Sequence, residues 1–356
     1  MSEEMKNLNE QPEETPAEIT EPKVEHVELK AEEKKPLDKK TIGIIAGAAA
    51  AVVVVVAIVI AIILGGGQQP HVHNFVEGVC ACGEVDPDYN PAPAEKTYNL
   101  VVVTDSQIGA DNKVSNYVLA LVTNAEGKIV AARFDCVDVA PELNDTADAL
   151  ADKASVATKV ELGDAYGMTS GNWAQQTKAF EDFIVGLTAD EVANLDMTLV
   201  AGCTMPYTPA SFKALVAKAF ASTLKVEFKT SETVTVGAAI TTKVASGKVS
   251  SDFAGVVLAD GKVVASMIDS CEQAFTVLGD AIVAPETPAV SKNDQGEAYG
   301  LMPSGYWYQQ AQVFANTAVG KTVAELTDLA TSDIAGCSIY SGGYKTTIIA
   351  AAGYAR

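Results

Sequence analysis

The sequence predicts an α+β fold of two tandem repeats, each a mainly antiparallel sheet with packed helices, placed after a single transmembrane helix. Three observations carry this. A cassette occurs twice, as TKVELGDAYGMTSGNWAQQ at 158–176 and SKNDQGEAYGLMPSGYWYQQ at 291–310. In each copy strand-like sequence precedes the cassette and helix-like sequence follows it, an order that indicates α+β rather than an alternating parallel sheet. Finally, Ile42 to Leu64 carries no charge, long enough at about 1.5 Å per residue to cross a hydrocarbon core of roughly 30 Å.

The duplication extends beyond the cassette. Lys159, Tyr166, Trp173, Gln176 and Phe180 recur as Lys292, Tyr299, Trp307, Gln310 and Phe314, and AGCT at 201–204 returns as AGCS at 335–338. A period this long marks a duplicated domain rather than a solenoid. A chain of 356 residues with 48% apolar content can furnish two or three domains with real cores. Its net charge of −21 excludes nucleic acid, because a phosphate backbone requires a basic footprint.

In chain order, residues 1–40 mix Glu, Lys and Pro without apolar periodicity and read as a disordered cytoplasmic tail. Residues 41–67 hold the expected membrane span. Lys34, Lys35, Lys39 and Lys40 crowd its N-terminal side, and no Lys or Arg follows it until Lys96. The positive-inside bias then leaves the N-terminus in the cytoplasm and the C-terminal domains outside a plasma membrane. In residues 68–90, His71, His73, Cys80 and Cys82 are four ligand types suited to tetrahedral zinc, with Gly78 allowing the turn between the pairs. The same residues also suit a mobile linker with free thiols. The segment resembles the small Cys/His knuckle of many bacterial surface proteins, with Cys-x-Cys here in place of Cys-x-x-Cys. Residues 91–96 are a linker, and the repeats occupy 97–224 and 225–356.

Within the repeats, Tyr117–Val122 with Lys128–Val137, and Phe253–Leu258 with Lys262–Ile268, alternate like hairpin strands. Asp260-Gly261 marks a two-residue turn in the second. Trp173 and Phe180, like Trp307 and Phe314, are spaced to share one helical face. Thr188 with Glu191 and Thr322 with Glu325 form capping boxes, and Thr208-Pro209 starts a further helix. Cys136, Cys203, Cys271 and Cys337 allow one disulfide per repeat outside a membrane. The repeat register puts Ser270, not Cys271, opposite Cys136, so strand alternation turns the two cysteines to opposite faces and favours free thiols.

Chemistry is narrowed by an absence. No histidine follows His73, so neither repeat supplies a Ser-His, Cys-His or His-zinc centre of its own, which argues against a hydrolase. The cassette aromatics Tyr166, Trp173, Tyr299 and Trp307 could plate a flat ring or a glycan with help from the neighbouring glutamines, or they could be core residues. At the AGC element, Gly202 and Gly336 permit close backbone approach, Thr204 and Ser338 offer hydroxyls, and a helix N-terminus just beyond favours an anion.

GKIVAARFD at 127–135 with AGCTMPYT at 201–208, and GKVVASMID at 261–269 with AGCSIYSG at 335–342, resemble the extracytoplasmic FMN-binding domains of bacterial electron-transfer proteins. The resemblance implies FMN held near Thr204 and Ser338, the phosphoester acceptors of the family's motif. Lys159 and Lys292, which recur within the cassette, are the possible charge partners for that phosphate, with the cassette aromatics near the ring. The implied function is extracytoplasmic electron transfer with a redox partner, at most as a flavin-dependent carrier. The alternative is a non-enzymatic surface module that recognises a glycan, peptide or protein, or serves structure alone.

Overall fold

The computed structural model describes residues 74–76, 79–81, 83–89, 93–168, 171–203 and 209–356. The chain divides into two units, Met1–Pro91 and Ala92–Arg356. In the first, β1 (Phe75–Val76) and β2 (Val79–Cys80) form a minimal antiparallel hairpin in which Cys80 is buried. His71, His73 and Cys82 lie outside the described residues, and no group of metal-ligating side chains is found among the described ones.

The expectation of a transmembrane helix in the fold is corrected. No helix among the described residues is long and apolar enough to cross a membrane, and 42–64 lies outside them. The longest described helix has 13 residues, about 20 Å of rise where a bilayer core needs roughly 30 Å. The described fold is α+β with antiparallel sheets.

In the second unit, repeat 1 begins with the meander β3 (Lys96–Ile108), β4 (Val114–Asn124) and β5 (Ile129–Val139), then a short β6 (Lys153–Val156). Helices follow: α1 (Lys159–Leu162), α2 (Trp173–Ile184), α3 (Ala189–Ala193) and α4 (Pro209–Ala221). Repeat 2 starts with β7 (Val226–Thr230) and runs through the meander β8 (Val234–Ala245), β9 (Lys248–Ala259) and β10 (Lys262–Ala274). Two small hairpins, β11–β12 (Thr276–Leu278, Ala281–Val283) and β13–β14 (Leu301–Met302, Gly305–Tyr306), flank α5 (Lys292–Gln295). Then come α6 (Trp307–Asn316) and α7 (Gly342–Gly353). The turn between β9 and β10 holds Asp260 at φ 48° and Gly261 at φ 71°, the paired left-handed geometry that suits the twist of a two-residue hairpin. Both capping boxes are present, although Thr322–Glu325 starts a 3₁₀ turn at Ala324–Asp328 instead of an α-helix.

The repeats do not close as separate bodies, because each four-stranded sheet borrows a strand. One sheet has the order β5-β4-β3-β7 and the other β10-β9-β8-β6. β7 opens repeat 2 yet pairs with β3, while β6 belongs to repeat 1 yet pairs with β8. Strand alternation gives each sheet two apolar faces. The inner faces meet through Leu100, Val102 and Val118 against Val236, Phe253 and Val257. The outer face of the first sheet, Val103, Leu119 and Leu121, receives Trp173, Phe180 and Phe212, and that of the second receives Trp307, Phe314 and Ile348. The layers are helix, sheet, sheet, helix. All four repeat cysteines are free thiols, with Cys136 in the helix-facing core and Cys271 between the sheets, on the opposite faces that the register implied.

Between the sheets runs a short polar thread, beside a second buried contact in which Thr104 Oγ1 donates to Asp269 Oδ2 at 3.4 Å. Ser106 Oγ donates to Asn116 Oδ1 at 2.7 Å, Asn116 Nδ2 donates to Ser251 Oγ at 2.8 Å, and Ser251 and Thr242 share a hydrogen bond of 2.7 Å. Asn116 and Ser251 occupy equivalent positions on β4 and β9, opposite Val137 and Cys271 of the next strands, so the thread joins the same place in both repeats. Close by, a Cβ on Gly255 would overlap Val102 Cγ2 and lie 2.9 Å from Ala120 Cβ. Gly255→Val should force the sheets apart and cost about 1–3 kcal/mol or more, read as a lowered midpoint in urea unfolding. An unchanged midpoint would show that the sheets are not held this closely.

Candidate functional site

The cassette is placed by the strand that precedes it. Asp135 on β5 and Asp269 on β10 are each 1% exposed and reach the first turn of the following helix. Asp135 Oδ1 accepts from the amides of Cys136 at 2.7 Å and Val160 at 3.4 Å; Asp269 Oδ1 accepts from Ser270 at 2.8 Å and Asn293 at 2.9 Å. Each carboxyl thus ties a helix N-terminus to the sheet. Thr158 and Ser291 cap the same turns with their hydroxyls.

That anchoring buries the next side chain. Lys159 is 2% and Lys292 8% exposed. Lys159 Nζ lies 3.2 Å from Asp138 Oδ2 and over the rings of Tyr166, at 4.9 Å, and Trp173, at 6.0 Å. Lys292 Nζ lies 3.0 Å from Glu272 Oε1, with Tyr299 at 5.2 Å and Trp307 at 5.4 Å. Such cation–π contacts strengthen when desolvated. Burial works against the Lys292 ammonium, but Tyr344, Glu272 and Tyr299 together hold it above the usual lysine range. Trp173 and Trp307 are 0% and 2% exposed, and Tyr166 and Tyr299 half-buried. The expected platform is therefore one wall of a closed ionic and aromatic cluster.

The glutamines also have structural work. Gln175 and Gln309 accept the amides of Asn172 and Tyr306 at the starts of α2 and α6. Gln310, fully buried, donates to Gly305 O at 2.8 Å and accepts from both the amide and the hydroxyl of Ser338, at 2.6 and 2.9 Å. The AGCS loop is therefore strapped to α6. Gly202 and Gly336 are exposed and adopt φ 82° and 79°, turning the loop against Ala179 and Val313. Thr204 lies outside the described residues.

A cleft of about 340 Å³ surrounds Ser338, bounded by Thr331, Asp333, Cys337, Tyr340 and Ser341 among others, with no Lys or Arg on its walls. The helix N-terminus expected to favour a phosphate already faces an acid. The Asp252 carboxylate stands 2.5 Å from where a Cβ on Gly343 would be, in the first turn of α7, where a negative charge complements the helix dipole. The residues present do not fit a flavin phosphate at Ser338.

Two features were missed by the sequence reading. The acidic residues that anchor the cassette, Asp135 with Asp138 and Asp269 with Glu272, recur three apart at the end of each third strand, a signal that could have been read. A cleft of about 370 Å³ between β6 and the start of α7, with Ser155, Thr241, Thr242, Ser250, Asp252 and Thr346 on its walls, had no such signal. It exists only because β6 crosses to the other repeat. No protein-family model matches the chain, and neither does any curated protein or solved structure.

Burial pushes the Asp135 carboxyl up to about 7 and that of Asp269 up to about 6, against hydrogen bonds that hold both down. Asp135 Oδ2 has no hydrogen-bond partner among the described residues, which favours the protonated form there. In the unfolded chain both carboxyls return to the ordinary range, so near pH 5 the native state holds protons that the unfolded chain has released. Their stabilisation is fully present below about pH 4 and is lost as the pH rises through about 6 to 7. The thermal midpoint should therefore rise on going from about pH 8 to about pH 5, and Asp135→Asn should flatten that rise. A variant with the full wild-type rise would remove Asp135 as its source.

Proposed function

We propose that the Ala92–Arg356 unit is a non-catalytic recognition module, not a flavin carrier. The observation that carries this is the burial of Trp173 and Trp307 against the paired lysines, at 0% and 2% exposure. Among the described residues, those assigned to the ring and the phosphate are engaged with one another or with the loop. Lys159 and Lys292 are matched by Asp138 and Glu272, and the Ser338 hydroxyl is bonded to Gln310. An acidic chain of net charge −21 also repels phosphorylated ligands at long range. What remains open to solvent are clefts of mixed lining: the one beside β6 joins hydroxyls to the charged Glu161, Lys243 and Asp252, while the one beside α6 has amides, an aromatic ring and aliphatic groups with Lys225 alone charged, which suits a polar, uncharged ligand.

The test is an absorption and fluorescence spectrum of the purified chain, before and after acid denaturation, from cells that also express a flavin transferase. The expected result is a colourless protein that binds no added FMN. A flavin spectrum that stays with the denatured chain would overturn the recognition reading in favour of a covalent carrier. Flavin released on denaturation would do the same in favour of a non-covalent one.

A further inference from the structure

The two cassettes share their interior and differ outside it. Trp307 points into the core from the first turn of α6, so its neighbours Tyr306 and Tyr308 are turned toward the surface and are both half-buried. Their rings are nearly parallel, 11° apart in plane with centroids 6.0 Å apart. Tyr308 borders a cleft of about 220 Å³ whose apolar walls include Leu224 and Met267 and whose polar groups are Asn293, Gln309, Gln312 and Lys225.

The three amides are fixed before any ligand arrives. Asn293 Nδ2 donates to Ile268 O at 2.9 Å, and Gln312 Nε2 donates to Ser266 O at 3.1 Å and to Asn316 Oδ1 at 2.7 Å. Gln309 Oε1 accepts from Tyr306 N at 3.1 Å. The other end of each, Asn293 Oδ1, Gln312 Oε1 and Gln309 Nε2, has no hydrogen bond among the described residues. Two acceptors and a donor are thus held ready beside an aromatic ring, so little side-chain ordering would be left to offset binding.

The fold itself does not require this set. In repeat 1 the positions of Asn293, Tyr308 and Gln312 hold Val160, Ala174 and Lys178, and α2 packs its Trp173 in the same way. Only Gln309 has its counterpart, Gln175, which serves the helix cap in both copies.

We infer that this cleft is a binding site for a neutral pyranose ring. Hydroxyls of a sugar both donate and accept, which matches the free ends of the amides. Its C–H face suits Tyr308 and the aliphatic wall. The volume admits a single ring and lies below the roughly 300 Å³ at which sites for larger cofactors begin. A neutral ligand is indicated because Lys225 on the walls disfavours a cation and the strongly acidic chain repels an anion at long range. The assignment deepens the recognition reading and rests on it.

The test is ligand-observed saturation-transfer NMR on the full chain with methyl glycosides of glucose, galactose, mannose and N-acetylglucosamine. At least one should bind with a millimolar Kd. Tyr308→Ala and Gln312→Lys, which install the residues that repeat 1 carries, should each weaken it about tenfold in a chain whose circular-dichroism spectrum shows the fold retained. Absence of binding by all four glycosides, binding unaffected by either substitution, or capture of a proline-rich peptide at Tyr308 in their place would each overturn the sugar assignment. A flavin spectrum would sink the recognition reading instead and leave the glycoside result to be judged separately.

Discussion

The close approach of the two sheets at Gly255 is the constraint from which the rest of the architecture follows. With Val102 and Ala120 pressed against that glycine, the inner faces have no room for helices, and every helix must cover an outer face. Each cassette is then carried on the outside of its own sheet. The interface between the repeats becomes an apolar layer with a polar thread through Asn116 and Ser251 and a further contact from Thr104 to Asp269. A buried thread of this kind contributes little net energy when fully bonded, but a slipped register would leave its groups unpaired at a cost of about 1–3 kcal/mol each. It therefore specifies how the sheets are aligned more than how strongly they hold.

The exchanged strands extend the same logic. β6 and β7 each complete the sheet of the other repeat, so neither repeat can satisfy its backbone edge alone. The chain's two arginines reinforce this junction from the far side. Arg133 and Arg356 both donate to Glu181 Oε2, at 2.9 and 2.8 Å, and Arg133 also donates to Tyr354 O at the end of α7. Burial raises the Glu181 carboxyl to about 7, and Arg133 together with the Phe134 amide opposes that rise. A strand of one repeat is thereby bonded to the helix end of the other, within the one compact unit Ala92–Arg356.

Inside each outer layer the buried lysine governs the cassette. An ammonium enclosed by a carboxylate and two aromatic rings gains less than an apolar side chain would, because its desolvation offsets much of the attraction. What it provides is a seat: only one placement of the Tyr and the Trp satisfies the charge. The two copies keep that seat with different acids, Asp138 in one and Glu272 in the other. Their surfaces were free to diverge. Tyr306, Tyr308, Asn293 and Gln312 stand where the other copy has Asn172, Ala174, Val160 and Lys178; Tyr308 and Val160 pack at the edge of their cores, while the buried Trp and Phe are the same in both.

The sequence alone determined the duplication, the antiparallel hairpins, the capped helices and the opposite facing of Cys136 and Cys271. These depend on period, on turn chemistry and on alternation along a strand, which are local and therefore written in neighbouring residues. It left open whether Trp173 and Trp307 face a ligand or the core, since both uses need the same residue at the same helical position. Tertiary structure decided that by enclosing Lys159 and Lys292 beside them. It also decided that β6 and β7 change partners, that the α7 N-terminus faces Asp252, and that Asn293, Tyr308 and Gln312 share one cleft. Each of these joins residues far apart in the chain, and no spacing in the sequence records a distance across the fold.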